Sequence, residues 1–409
     1  MKPRSRRDRL AAETLLAEAL GSSGGREPEL LQLSRRLRRL GNSGLARDAQ
    51  ELYELRRKAR RKLANHDHIF LSQKGLEQSS SSAAANWRAA RVNALTTPRM
   101  PLVDLTCGLG SDAAALASTG RPVLALDRDP ETALLASLNL ERLTDGTALV
   151  VRGDAARPPL RGDALLLLDA DRRPAGRREL DPERWSPPWS AVLTALGHAP
   201  GACVKLAPAV DVDALDASLP VDLARSWTWL GLGRELVEVV LWTGQLVPRA
   251  AVPFEAVVLE VDGPVRGQIC GDAQSRALVE PLTIAEREAC QWIAEPHAAV
   301  IRSGLIGALC PQLGVAPLGP RLAYLGGPTC LDHPLIRRWH VLDSAPADRK
   351  RVRAMLRAAD VGPLQVFTRG HPDPPEKLAR TLRGPGSRPG VVLVARLAEG
   401  HRAFLVEEA

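Results

Sequence analysis

Two glycines in this sequence lie in a segment that is typical of a ligand-binding turn. The stretch VDLTCGLGSDA (103–113) places Gly108 and Gly110 after a short apolar run and before a stretch with helical spacing. Glycine lets the backbone approach a ligand closely, and the N–H groups at a helix start point toward a bound group. A second apolar run, PVLALD, ends on Asp127, seventeen residues after Gly110, where a carboxylate would meet ribose hydroxyl groups. The spacing therefore predicts a nucleotide-like ligand at this turn.

Acidic residues at the ends of the apolar runs separate two candidate ligands. GLGSDA matches the dinucleotide pattern G-x-G-x-x-A, but Asp104 at the mouth of the turn would repel a pyrophosphate. The same carboxylate would attract the ammonium and sulfonium groups of S-adenosylmethionine. Asp154, in RGDA after a third run, is placed to accept a hydrogen bond from an adenine amino group. A lone aspartate is more often a cap or a loop residue, but three at successive strand ends favour S-adenosylmethionine.

Two further residues are candidates for handling the acceptor substrate. Asp169 ends the run DALLLLD, at the carboxyl end of the fourth expected strand and beside the expected sulfonium. The next run, ACVKLAP, brings Lys205 next to Asp169 in the expected sheet. Lys205 would orient a substrate phosphate or stabilise a developing negative charge, and a surface lysine is the alternative. Glu235 and Glu238, in RELVEVVLW, are weaker candidates for pairing with this site.

The segment after Asp169 carries residues that suit a nucleotide. Arg172 and Arg173 predict a phosphate or nucleotide clamp, because a guanidinium binds phosphate through two hydrogen bonds and stacks on bases. Their alternative is a solvated, salt-bridged loop. Trp185 and Trp189, in WSPPW, could stack on a base, although the proline pair is more typical of a helix start.

The elements that must position these residues follow from the hydrophobic spacing. From Pro101 onward, short apolar runs alternate with helical patterns at 111–119, 130–143 and 189–198. This alternation is typical of βαβ units that form a parallel sheet with both faces covered. The carboxyl ends of such strands meet at one edge, so the acidic residues above are expected to lie together.

The two flanking regions have different patterns. Leucines at helical spacing predict helices over 28–40, with arginines between them, and over about 44–64. After about residue 247, strands and helices mix, with a strand expected near 256–261 and a helix at 283–293. Another helix is expected to start at Glu295 and Pro296, with His297 and Arg302 as possible substrate contacts.

Composition and charge limit the classes of protein. The chain has 409 residues, and 45% of them are hydrophobic, which fits a globular protein with a substantial core. Its six cysteines form no C-x-x-C pair, so we expect no metal site, and no apolar run approaches the roughly 20 residues that span a bilayer. We expect a cytoplasmic protein without a membrane partner.

The net charge of +8 is concentrated at the N-terminus. Residues 1–64 hold 17 Lys and Arg against 8 Asp and Glu, which leaves 38 against 39 in the remainder. Such a segment can attract a polyanion and release counterions from phosphate. The charge is equally compatible with a solvated helix surface in an arginine-rich protein.

The motifs VDLTCGLGSD, LALDRDP and RGDA resemble, in order and spacing, those of the class I S-adenosylmethionine-dependent methyltransferases. EPHAAVIRSGLIGAL (295–309) with PRLAYLGG (320–327) resembles a bacterial group of these enzymes that carries a C-terminal THUMP-like domain. Two departures stand out, since Thr106 replaces a frequent glycine and Asp169-Ala170-Asp171-Arg172-Arg173 replaces Asp-Pro-Ala-Arg-Arg. The cofactor-binding residues that the resemblance implies are Asp104, Thr106, Cys107, Gly108, Gly110, Asp127, Arg128, Asp154 and Ala155.

The resemblance implies an α/β protein with a Rossmann-like methyltransferase core. We expect a basic helical region over 1–85, the core over 86–247, and an α+β region with the THUMP-like domain over 248–409. The implied activity is S-adenosylmethionine-dependent methylation of a structured RNA, with Asp169, Arg172, Arg173 and Lys205 as catalytic residues. The alternatives are a catalytically degenerate RNA-binding protein with the same fold and a nucleotide-dependent oxidoreductase, which Asp104 opposes. The oligomeric state is left open.

Overall fold

The computed structural model describes residues 4–21, 28–158, 162–170, 179–248 and 252–409. Contacts within the chain divide it into two units. The first comprises Met1–Ser226, Glu238–Ala251 and Val261–Pro264, and the second comprises Trp227–Val237, Val252–Glu260 and Val265–Ala409. Each unit is described by itself.

The first unit begins with helices whose apolar faces pack together. In the second of them, Leu33 and Leu37 are fully buried while Arg35, Arg38 and Arg39 are exposed, as the leucine spacing predicts. Asn42 caps the third helix, because its side chain accepts a hydrogen bond from the N–H of Leu45. These helices are α1 (Arg6–Gly21), α2 (Leu30–Leu40), α3 (Ser43–Ala59), α4 (Gln73–Gln78) and α5 (Ser82–Leu95).

A mainly parallel sheet with flanking helices forms the rest of this unit. Its elements are β1 (Leu102–Asp104), α6 (Ser111–Ala117), β2 (Val123–Asp127), α7 (Pro130–Leu143), β3 (Ala148–Arg152), β4 (Leu165–Asp169), α8 (Trp189–Leu196), β5 (Gly201–Leu206) and α9 (Val212–Ser218). The strands β6 (Arg225–Leu232) and β7 (Glu235–Gly244) belong partly to each unit.

The strand order in this unit is β3-β2-β1-β4-β5-β7. The first five strands are parallel, and β7 is antiparallel to β5. The order reverses between β1 and β4, which is the point where open α/β sheets bind ligands at the carboxyl ends of their strands. The apolar run of β4 is buried on both faces, as its central place requires.

The second unit contains β6, the strands β8 (Phe254–Leu259) and β9 (Val265–Gly271), and a seven-stranded sheet of order β11-β12-β10-β13-β16-β15-β14. Two helices of this unit, which include Leu356 and Leu378, pack against the seven-stranded sheet. The remaining elements are α10 (Ile284–Glu288), β10 (Trp292–Pro296), α11 (Ala298–Ser303), α12 (Ile306–Leu313), β11 (Ala316–Pro317), β12 (Leu325–Gly327), β13 (Ile336–Pro346), α13 (Arg349–Ala358), β14 (Val361–Arg369), α14 (Pro375–Leu382), β15 (Arg388–Leu397) and β16 (Gly400–Glu408).

The expected α/β core is confirmed, and the helix predicted over 130–143 is α7. Two expectations for the second unit are wrong. The helix predicted over 283–293 is the short α10, followed by β10. Glu295 and Pro296 lie in β10 rather than at a helix start, because this segment pairs with β13. The part of the chain that the structure describes contains no helix long and apolar enough to span a bilayer.

Candidate active site

The glycine turn between β1 and α6 has the conformation that its two glycines permit. Gly108 and Gly110 both have left-handed backbones, with φ of 56° and 86°. A Cβ on Gly110 would lie 3.1 Å from Cγ of Leu140 in α7, so a side chain would also be crowded there. The N–H of Gly110 closes the turn on the carbonyl of Cys107 at 2.8 Å.

Asp127, at the end of β2, holds this turn in place. Its Oδ2 accepts a hydrogen bond from the N–H of Gly108 at 3.2 Å, and its Oδ1 accepts one from Asp129 at 2.9 Å. Burial raises the pKa of the Asp127 carboxyl group above its ordinary value. The predicted position at a strand end is observed, and ribose binding by Asp127 remains a prediction.

Asp104, at the end of β1, carries a buried oxygen without a partner. Its Oδ1 accepts a hydrogen bond from the N–H of Thr106 at 3.2 Å, but Oδ2 has no hydrogen-bond partner among the described residues. Only 1% of the residue is exposed. Burial, reinforced by the negative charge of Asp112, raises the pKa of Asp104 to about 8. An unpaired buried carboxylate is costly, so this oxygen is suited to a cationic ligand.

Thr106 and Cys107 have structural contacts within the turn. The hydroxyl oxygen of Thr106 accepts a hydrogen bond from the N–H of Asp169 at 2.7 Å, which joins the glycine turn to the end of β4. The Cys107 thiol is buried, and burial raises its pKa well above the ordinary value. A protonated thiol is a poor nucleophile, so Cys107 lines the turn rather than reacting.

The remaining predicted cofactor residues differ in exposure. Arg128 is exposed, and its carbonyl accepts a hydrogen bond from Nε of Arg152 at 3.3 Å. Asp154 is also exposed, and its Oδ1 accepts a hydrogen bond from the N–H of Ala156 at 3.0 Å. Ala155 is buried beside it. The position of Asp154 just beyond β3 agrees with the sequence, and its contact with adenine remains a prediction.

Asp169 and Lys205 are neighbours, as predicted. They are paired in the register of β4 and β5, and Nζ of Lys205 lies 2.6 Å from Oδ2 of Asp169. The alternative of a surface lysine is wrong, because only 6% of Lys205 is exposed. The Asp169 side chain is 39% exposed and is therefore available to a substrate. Arg172 and Arg173 lie outside the described residues.

A group of charged residues that sequence reasoning missed surrounds Lys205. Asp112, in the first turn of α6, accepts hydrogen bonds from Nζ of Lys205 at 3.1 Å and from the Ser80 hydroxyl at 2.6 Å. Arg88, which is fully buried in α5, donates through Nε to Oδ1 of Asp112 at 2.9 Å. Arg88 also contacts Glu238 on β7, so the weak expectation for Glu238 is borne out as a contact. Glu235 is exposed.

Opposite charges determine the protonation of this group. Burial alone would raise the pKa of Asp112, but Arg88 and Lys205 hold it well below its ordinary value. Burial alone would lower the pKa of Lys205, but Asp112 and Asp169 raise it. Lys205 is therefore a fixed cation and not a proton acceptor.

The charges at these strand ends fit a cationic cofactor. Among the described residues, three cations face four carboxylates when Lys62, which interacts electrostatically with Lys205, is counted, and the net charge is −1 when all are ionised. With the orphaned Asp104 oxygen, this excess favours a ligand that carries an ammonium and a sulfonium. The cations are Lys62, Arg88 and Lys205, and the carboxylates are Asp104, Asp112, Asp169 and Glu238.

The N-terminal helices also contact the glycine turn. The Asn139 side chain of α7 accepts a hydrogen bond from the N–H of Phe70 at 2.7 Å and donates to the carbonyls of Phe70 and Leu109. Leu76 and Leu109 belong to one hydrophobic cluster with these helices. The segment around α4 therefore supports the predicted cofactor loop.

Several other candidate contacts have structural roles. Trp185 and Trp189 are buried, and their rings meet edge to face at 6.2 Å, so the suggestion that either stacks on a base is wrong. His297 is buried as the N-cap of α11, where Nδ1 accepts from Ala299 at 3.0 Å, and burial lowers its pKa to about 4. Arg302 is exposed.

The described residues contain no group of three metal-ligating side chains.

Comparisons with known proteins agree with this fold. Residues 336–408 match the family model described as THUMP domain-like, and the motifs at 295–309 and 320–327 precede the matched residues. A crystal structure of a candidate methyltransferase from Porphyromonas gingivalis W83 matches with a TM-score of 0.74 at 19% identity. The match covers 96% of this chain and 98% of that chain. The protein therefore has a class I methyltransferase fold with a C-terminal THUMP-like domain.

Two curated relatives come from Mycobacterium tuberculosis, strains CDC 1551 / Oshkosh and ATCC 25618 / H37Rv. Each is 29% identical over 331 residues, which cover 81% of this chain and 86% of the relative. Both are named as uncharacterized S-adenosylmethionine-dependent methyltransferases. The resemblance found in the sequence motifs is thereby confirmed.

Proposed function

We propose that this protein transfers a methyl group from S-adenosylmethionine to a nucleotide of a structured RNA, such as a tRNA or an rRNA. The more general part of this proposal, that the protein is a methyltransferase that uses S-adenosylmethionine, agrees with the fold and with the names of the mycobacterial relatives. The single observation that carries the proposal is the unpaired, buried Oδ2 of Asp104 beside the glycine turn, in a group with excess carboxylates.

The residues that would hold the cofactor lie at three successive strand ends. Asp104 would pair with positive charge, Asp127 would accept ribose hydroxyl hydrogens, and Asp154 would accept an adenine N–H. When bound, S-adenosylmethionine supplies an electrophilic methyl group on a positively charged sulfur. The backbone of Gly108 and Gly110 would lie against it, since neither residue has a side chain to obstruct the approach.

Asp169 and Lys205 would handle the acceptor. Asp169 would accept a hydrogen bond from the incoming nucleophile and align it with the methyl group. Lys205 would stay charged and keep Asp169 in place through the 2.6 Å contact. Alignment of this kind contributes several kcal/mol, on the order of 7 or more in favourable cases, without a strong base.

Basic surfaces support RNA as the substrate. Helix α2 exposes three arginines, and α13, within the THUMP-like domain, carries five basic residues and no acidic ones. Such surfaces bind phosphates and release counterions, and the THUMP resemblance implies RNA binding. The basic residues of α13 are Arg349, Lys350, Arg351, Arg353 and Arg357.

The test compares modified nucleosides by mass spectrometry in RNA from cells with and without the gene. The purified protein should then restore the missing methyl group to RNA from the deletion cells when S-adenosylmethionine is added. An Asp127→Ala variant should reduce transfer to background. The control is Asp163→Ala, which removes an exposed carboxylate at the opposite end of β4 and should leave transfer unchanged.

Calorimetry with S-adenosylmethionine separates the alternatives. Absence of binding by the wild-type protein would overturn the methyltransferase proposal. Binding without transfer to any cellular RNA would overturn the RNA part and favour a degenerate RNA-binding protein or another acceptor. The degenerate alternative is motivated by the buried Ala170, which stands where the resembling group has proline.

A further inference from the structure

A line of alternating charges runs from β7 to the end of β4. Glu238 contacts Arg88, Arg88 contacts Asp112, Asp112 contacts Lys205, and Lys205 contacts Asp169. Asp112 uses both of its oxygens, since Oδ1 faces Arg88 and Oδ2 faces Lys205 and Ser80. Its side chain therefore has one orientation that satisfies all three partners.

Only the acceptor end of this line is substantially exposed, since the Glu238 side chain at the other end is 12% exposed. The Arg88 side chain is fully buried, those of Lys205 and Asp112 are 7% and 9% exposed, and that of Asp169 is 39% exposed. Burying charged groups costs several kcal/mol each, and hydrophobic residues often fill such space equally well. These ion pairs are therefore an energetically costly way to fill this part of the core. They do fix the position of Asp169, the member of the group that is accessible to solvent.

We propose that Arg88 and Asp112 are positioning residues for methyl transfer. They hold the Lys205 ammonium against Oδ2 of Asp169, which leaves Oδ1 of Asp169 to orient the acceptor. The inference rests on the proposed function and assigns a role in it to Arg88, which precedes the first strand of the sheet, and to Asp112, which follows that strand.

The chemistry of the line explains why a charge is needed at residue 112. Lys205 donates hydrogen bonds to two carboxylates, and an uncharged partner at 112 would hold the ammonium less firmly. The ammonium would then follow Asp169 into solvent or lose its proton more easily. The charged groups that act on Lys205 are Lys62 on the segment after α3, Arg88, Asp104, Asp112, Asp169 and Glu238.

The test uses Asp112→Asn, which keeps the size of the side chain and removes its charge. We expect kcat for RNA methylation to fall about 10- to 100-fold, because a displacement of about 1 Å at a reacting group costs this much. The KM for RNA should change little. Affinity for S-adenosylmethionine near pH 7 should change much less than kcat, because loss of the Asp112 charge weakens the attraction for the cation but also makes Asp104 easier to ionise.

The matched control is Glu13→Gln, which removes the charge of a half-buried carboxylate that pairs with Arg56 and Arg142 away from the strand ends. It should lower thermal stability and leave kcat unchanged. A purely structural role for Asp112 would lower stability, cofactor affinity and kcat together, as general unfolding does. That result would overturn the proposal.

A second measurement does not depend on methyl transfer. Lysine acetylation at increasing pH, followed by mass spectrometry of peptides, reports the neutral fraction of Lys205, with exposed Lys58 and Lys350 as references. We expect the rate at Lys205, relative to Lys58 and Lys350, to rise in Asp112→Asn, because its ammonium loses one of its two carboxylate partners. Equal rates in both proteins would overturn the proposal even if the natural acceptor is not RNA.

Discussion

The affinity for S-adenosylmethionine is expected to increase as the pH rises from 6 to 7.5, because Asp104 must ionise to pair with a cation. In the free protein, burial and the charge of Asp112 raise the pKa of Asp104 to about 8. The carboxyl group is then about 1% ionised at pH 6 and about 24% ionised at pH 7.5. If the pKa of Asp104 in the complex is below 6, the dissociation constant should fall about 25-fold between pH 6 and pH 7.5, which is about 1.9 kcal/mol of binding free energy.

The direction of this effect follows from proton linkage. The free protein binds a proton at Asp104 that the complex releases, so the complex is favoured as pH rises toward 8. Titration calorimetry at four pH values, in buffers with different ionisation enthalpies, measures both the affinity and the released protons. The upper limit of pH 7.5 avoids most of the titration of the ligand's own amino group, whose pKa is about 8.

Asp104→Asn is the control, since asparagine has a similar shape and does not titrate. Its affinity should be independent of pH in this range and weaker than that of the wild-type protein at every pH in it. A flat wild-type profile, or the same slope in both proteins, would refute the reasoning. S-adenosylhomocysteine, which lacks the sulfonium charge, should show the slope only if Asp104 pairs with the ammonium group.

Three further predictions concern stability and binding. Without ligand, Asp104→Asn should raise the melting temperature at pH 7.5. The raised pKa of Asp104 lowers the free energy of unfolding increasingly between about pH 4 and pH 8, by about 5 kcal/mol at most, and asparagine avoids this loss. Thermal unfolding at several pH values should show the gain disappear near pH 4. Gly110→Ala should lose about 1–3 kcal/mol of stability and weaken cofactor binding in calorimetry, because its φ is 86° and Leu140 lies close. Gly120→Ala is the control, since Gly120 has a φ of 82° but an added Cβ would meet no atom within 4 Å. It should lose stability only through its strained backbone and should bind the cofactor normally. Trp189→Leu should cost about 2–4 kcal/mol in urea unfolding with unchanged RNA affinity, and lost affinity in the folded variant would contradict its structural role.

The strand ends could be predicted from the sequence because apolar runs stop at charged residues. Asp104, Asp127 and Asp169 end β1, β2 and β4, and Lys205 lies opposite Asp169. Parallel strands bring such ends together whatever the details of packing. The glycine turn could also be predicted from the sequence, because its two positive φ angles favour glycine and both positions are glycines.

The buried ion pairs could not be predicted, because they depend on which faces of separate elements meet. Arg88 lies in an alanine-rich helix, where an arginine is usually solvated, and its partners Asp112 and Glu238 are 24 and 150 residues away. The helix carries two arginines, Arg88 and Arg91, and nothing in their spacing indicates which of them is buried. The false helix start at Glu295 has another cause, because a proline tolerated at a helix start is also tolerated at the end of a strand.

The amide of Asn139 makes the first 85 residues and the glycine turn depend on each other. It bonds the backbone of Phe70 on one side and Leu109 on the other, while Ser80 bonds Asp112. A fragment shortened to residues 86–409 would leave these buried groups without partners, at about 1–3 kcal/mol for each. Dissecting the protein at the edge of its Rossmann-like core would thus damage the core itself, and occupancy of the turn by a ligand should slow proteolysis of the helices that precede it.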